Sequence, residues 1–123
     1  MSNLVPSPGS NLIPVEKAKE MTARYRENKS TILAPAYVNT DVLAISETLS
    51  ADDVKLLFSQ PNCVGLRIYY GMDEGLLVKA ILVGVAPDGS DIIIPNLQFN
   101  TVTAGYVVDD TFRCPPICPP TTF

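Results

Sequence analysis

The chain has 123 residues, enough for one hydrophobic core that withdraws roughly two-thirds of the unfolded surface from water, and too few for a second. It carries a net charge of −4 and no histidine, which argues against nucleic acid and excludes Ser-His-Asp, Cys-His and His-zinc arrangements. With 46% hydrophobic and 18% charged residues the composition is that of a folded chain rather than a disordered one.

Residues 1–13, MSNLVPSPGSNLI, are rich in Ser, Pro, Gly and Asn and read as a flexible N-terminal arm or peripheral strap. They show neither a charged n-region nor a continuous apolar h-region. No apolar run approaches the roughly 20 residues that span a bilayer, so a cytoplasmic location and no membrane partner are expected. From Pro14 the pattern changes. Val15, Ala18, Met21, Thr22 and Tyr25 recur at helical spacing, with Glu16, Lys17, Lys19, Glu20, Arg24 and Arg26 on the other face. This predicts an amphipathic helix with Pro14 at its first turn, where a missing N–H does no harm. It is expected to run to Ile32 or Leu33, where APAY stops it. Arg24, Arg26 and Lys29 form the small basic group of the chain.

A second helix is predicted from SADDVKLLFSQP. Ser50 can accept from first-turn amides, Asp52 and Asp53 suit the positive end of the helix dipole, and Val54, Leu57 and Phe58 form the apolar face before Pro61 ends it. The acidic pair thus has a structural role and needs no catalytic one.

The clearest strand signal follows. In CVGLRIYYGMDEG, Val64, Leu66, Ile68, Tyr70 and Met72 fall on one face, and Cys63, Gly65, Arg67, Tyr69 and Gly71 on the other. MDEG turns the chain, with Gly75 expected in the left-handed conformation. Leu76–Val85 is apolar on both faces and reads as a central strand covered on both sides, or covered on one and dimerised on the other. PDGS is a second turn with Gly89 at positive φ. DIIIP reads as a third strand and AGYVVDD as a later one, with the register of NLQFNTVT between them undefined. Two N-terminal helices packed on an antiparallel meander of three to five strands make the fold α+β. The domain is expected to span residues 14–112, with a Cys/Pro-rich tail over 113–123.

The remaining acid–base candidates, Asp73 and Glu74 in one turn and Asp88 and Asp91 in the next, sit at opposite ends of a strand and read as wet turn residues. DGSD lacks the frame of a calcium loop. No dinucleotide, P-loop or nucleophile-elbow motif occurs. Neither a cofactor nor a metal is expected.

The tail RCPPICPP places Cys114 and Cys118 around Pro115 and Pro116. Residues before proline are driven to extended geometry, and four polyproline steps of about 3.1 Å would hold the cysteine Cα atoms about 12 Å apart, too far for a disulfide. A bend at Pro116–Ile117, with or without a cis Cys-Pro or Pro-Pro bond, would bring them together. The pair is therefore a reduced docking tail, a disulfide, or part of a zinc site completed by Cys63 and a carboxylate. Cys63 itself reads as a small buried residue.

CVGLRIYYGMDE, AILVGV, EKAKEMTARYRENKSTIL and RCPPICPP together resemble a family of small uncharacterised bacterial proteins, over most of residues 14–120. The resemblance brings no activity; it implies that the tail belongs to the protein. From the residues, the expectation is a non-enzymatic interaction or adaptor module. Arg67, Tyr69, Tyr70 and Tyr106 would receive a proline-rich segment, with Cys114, Pro115, Pro116 and Cys118 as the tail element and a protein or a second copy as partner. The alternative is a thiol redox or metal-binding protein using Cys114 and Cys118.

Overall fold

The computed structural model describes residues 4–93 and 111–120 and the backbone of Val107 and Val108. Helix α1, Val15–Asn28, opens at Pro14, whose carbonyl accepts the amides of Lys17 and Ala18 at 3.1 Å. It ends at Asn28, short of the expected Ile32. The Asn28 side-chain amide donates to the Arg24 carbonyl at 2.8 Å, taking an acceptor of the last turn, and Ser30 and Thr31 follow with weak helix propensity. No side chain of α1 is buried. It is tied down by the Tyr25 hydroxyl, which donates to the Ala44 carbonyl at 2.6 Å.

Helix α2, Ala51–Ser59, is built as its sequence implies: Ser50 Oγ accepts the Asp53 amide at 3.1 Å, and Asp52 and Asp53 lie in the first turn. Its buried residue is Leu57, which packs on Leu82 with Leu49 and Ala80 alongside. Phe58, expected beside Leu57, is exposed.

Two antiparallel sheets account for the strands. β1, Ser46–Thr48, pairs with β5, Phe112–Cys114, while β2, Gly65–Met72, β3, Val78–Val85, and β4, Val107–Val108, form the second sheet in that order. The fold is α+β. The fold continues past residue 112, because Phe112–Cys114 is a paired strand. β3 is buried on both faces along its second half: Leu82 lies under α2, and Val83 and Val85 face the other way. Gly84 permits a close approach by the end of α2, since a Cβ there would come within 2.9 Å of Cys63 Sγ and Gln60 Nε2.

The turns differ in one detail from expectation. In the β2–β3 connection the left-handed residue is Leu76, at φ 67°, and not Gly75. Asp73 dictates this: its Oδ1 accepts the Leu77 amide at 2.9 Å and its carbonyl accepts that of Leu76 at 3.0 Å, fixing the chain before the strand begins. Gly89 does take positive φ, 88°, in the following turn. The predicted DIIIP strand is reduced, within the described residues, to a bridge between Val85 and Asp91 and an Ile92 amide donated to the Gly84 carbonyl. AGYVVDD contributes β4, while NLQFNTVT and Tyr106 lie outside the described residues.

Candidate functional site

Strand β2 presents two faces of different character. On one, Arg67 Nη1 donates to Asp91 Oδ1 at 2.7 Å and to the Gly89 carbonyl at 2.9 Å, and the Tyr69 hydroxyl donates to Asp91 Oδ2 at 2.5 Å. The Tyr69 hydrogen bond, helped by the Arg67 guanidinium, holds the Asp91 carboxyl below the usual range against a smaller cost of desolvation. The same bond to Asp91 pushes the Tyr69 phenol up. Arg67 and Tyr69, which the alternation placed on one face, are brought together and satisfied by the turn that follows β3.

The slots beside them are filled from within the chain. A Cβ at Gly71 would meet Ile81 Cδ1 at 2.6 Å; one at Gly65 would lie 3.2 Å from Val5 Cγ1. Residues 4–11, which include Pro6 and Pro8, run beside Val64–Ile68 across a groove of about 560 Å³. Leu4 reaches Gly89, where a Cβ would come within 2.6 Å of it. Residues 4–11 therefore strap the start of β2.

The other face of β2 is open. Val64, Leu66, Ile68, Tyr70 and Met72 are all exposed, from 37% at Leu66 to 80% at Tyr70. Their neighbours on β3, Leu82 and Ala80, are covered by α2. Tyr70 thus lies across the sheet from Arg67 and Tyr69, as alternation requires.

The cysteine–proline segment is folded into a loop. Cys114–Pro115 and Pro115–Pro116 are both cis, the Ile117 amide donates to the Arg113 carbonyl at 2.9 Å, and Cys114 and Cys118 are joined in a disulfide with a Cα separation of 4.7 Å. The bent alternative replaces the extended tail, and neither sulfur is a free thiolate for a metal. Cys63 stands apart, half-buried, with its thiol donating to the Gly65 carbonyl at 3.3 Å. The described residues contain no group of three or more metal-ligand side chains suited to an ion.

Arg113 is a residue whose importance was not read from the sequence. It is buried, and its Nη2 donates to the carbonyls of Asp41, Val42 and Val78 at 3.1–3.2 Å. Its cross-strand partner Glu47 accepts the Ala80 amide and the Thr111 hydroxyl. The two charges thus fasten the small sheet to the edge of β3. Only the alternation in F-R-C hints at it, and three residues are too few to read as a strand.

A second groove, of about 460 Å³, lies between α1 and the disulfide loop, with Tyr25, Arg26, Ile45 and Cys118 among its lining. Burial, opposed by the Arg113 charge, pushes the Tyr25 phenol up. Among the described residues no helix is long and apolar enough to cross a membrane. Compared with family models, with curated proteins and with solved structures, the chain matches none.

Proposed function

We propose that the protein is an interaction module that assembles with a second copy of itself through the exposed apolar face of β2. The observation that carries this is the exposed row Leu66, Ile68, Tyr70 and Met72 on one eight-residue strand, with Val64 immediately before it. A contiguous apolar row of this kind marks a contact surface. The row holds no charged side chain, so two copies meet there without like-charge repulsion, while the net charge of −4 opposes contact elsewhere. Such an interface is isologous, placing the same strand opposite itself about a two-fold axis.

Arg67 and Tyr69 support the row from behind by anchoring Asp91, and Tyr70 is the contact residue. The Cys114–Cys118 loop and Pro119–Pro120 remain on the surface for further partners. A cytoplasmic site of action requires a bridge that exchanges, because stable disulfides belong to oxidising compartments.

Sedimentation equilibrium of the full chain tests the reading. A reversible dimer is expected, and the pair Ile68→Ser with Tyr70→Ser should weaken it at least ~10-fold, the loss of one buried large side chain per copy being sufficient. Thermal stability of the monomer should barely change, since both side chains are exposed. A wild-type monomer at every concentration, unaltered by the substitutions, contradicts it.

A further inference from the structure

Cys114 and Cys118 differ sharply in their surroundings. Cys114 is 6% exposed and lies in β5 opposite Ser46, with its carbonyl accepting the Ile45 amide at 2.7 Å. Cys118 is exposed at the far end of the loop. Both cysteines line the groove beside α1, and Cys118 is the more exposed of the two. The hydrogen bonds holding Cys114 in β5 are backbone ones and do not depend on the bridge, so the strand position of Cys114 is kept when the bond opens.

The accessible sulfur adjoins the groove of about 460 Å³, a volume suited to a small organic molecule. Tyr25 and Arg26 of α1 line it together with Ile45, Ser46, Cys114 and Pro119. Arg26 is exposed and brings a cation to the rim; the Tyr25 hydroxyl is occupied by the Ala44 carbonyl and stays neutral. An apolar floor with one cation at the rim selects a small thiol that carries a carboxylate.

We propose that Cys114–Cys118 is an exchangeable disulfide that oxidises small anionic thiols, with Cys118 as the sulfur attacked and Arg26 seating the carboxylate. In the first step the thiolate sulfur bonds to Cys118 Sγ, the Cys114–Cys118 bond breaks, and Cys114 leaves as a thiolate and takes up a proton. In the second, another thiolate attacks the substrate sulfur of this mixed disulfide, and Cys118 leaves in turn. Two thiols lose two electrons and become a disulfide; the protein gains them as a dithiol. The reverse reaction, with a small disulfide as oxidant, closes the bridge again. The site is separate from the β2 face and works in monomer or dimer alike.

The test uses the full oxidised chain with reduced glutathione, and with cysteamine as a cationic thiol, quenched in acid and read by intact and peptide mass spectrometry. A transient glutathione adduct on Cys118 is expected, followed by the dithiol form. At equal thiolate concentration, glutathione should react about fivefold faster than cysteamine, the factor that one exposed charge contact supplies. Arg26→Ala, and raised ionic strength on the unaltered chain, should both erase that preference. A first adduct on Cys114 overturns Cys118 as the sulfur attacked, and a bridge left intact while free cystine is reduced in the same buffer overturns the exchange. Equal rates for the two thiols overturn the role of Arg26.

Discussion

Asp91 receives the Tyr69 hydroxyl on one oxygen and the Arg67 guanidinium on the other, so its charge strengthens the attachment of the turn after β3 to β2, beside the Arg67 bond to the Gly89 carbonyl. Its folded-state pKa is depressed, chiefly by Tyr69 and then by Arg67, and that of Asp88 is depressed by the Ser90 hydroxyl and amide. A depressed carboxyl binds protons more weakly when folded than when unfolded. Its contribution to stability is therefore complete above the unfolded value, near ~3.9, and is lost as pH falls through the folded value. Urea denaturation between neutral pH and strongly acidic pH should show stability declining below that range. Asp91→Asn should flatten part of the decline, and an identical pH profile in the variant would show that the pair does not couple to folding. Tyr69 is shifted the other way, so its neutral form is favoured by folding and its contribution is lost only as alkaline pH carries it past its raised value.

At the level of elements, the two sheets meet at the edge of β3, where Glu47 accepts the Ala80 amide and Arg113 donates to the Val78 carbonyl. Arg113→Ala leaves three carbonyls without this donor and should cost about 2–4 kcal/mol, read from the urea midpoint at unchanged slope. A loss under ~0.5 kcal/mol would mean that water replaces it fully. This joint was invisible in the sequence because β1 and β5 have three residues each and lie far apart in the chain. Periodicity cannot be read over so short a span. α2 was legible in full up to Phe58, since Ser50, the acidic first turn and Leu57 all express local chemistry. The two faces of β2 were equally legible, because strand alternation is strict. The alternation could not show which face would be closed: the partners of Arg67 and Tyr69 are Gly89 and Asp91, and Val5 packs beside Gly65, all distant in the chain. Gly75 was read as the left-handed residue from its type alone, whereas the Asp73 side chain fixes the turn one residue later, at Leu76. The tail departs from the extended geometry that proline composition predicts: the chain reverses at Pro115–Pro116 and brings the two sulfurs together.

Considered whole, the molecule puts its reactive and its adhesive features in different places. α2 and β3 form the core; residues 4–11 close the start of β2, and the disulfide loop faces α1. Among the described residues the apolar row Leu66, Ile68, Tyr70 and Met72 of β2 stays exposed, with Leu66 and Ile68 lining the groove beside residues 4–11. Hydrogen–deuterium exchange of the full chain, followed at low and at high protein concentration, addresses that surface directly. Assembly through β2 requires the peptide spanning residues 64–72 to gain protection as concentration rises while the exposed turns of residues 86–90 exchange unchanged. Exchange over residues 64–72 that is independent of concentration, alongside an oligomer in solution, would place the contact elsewhere and contradict the proposal.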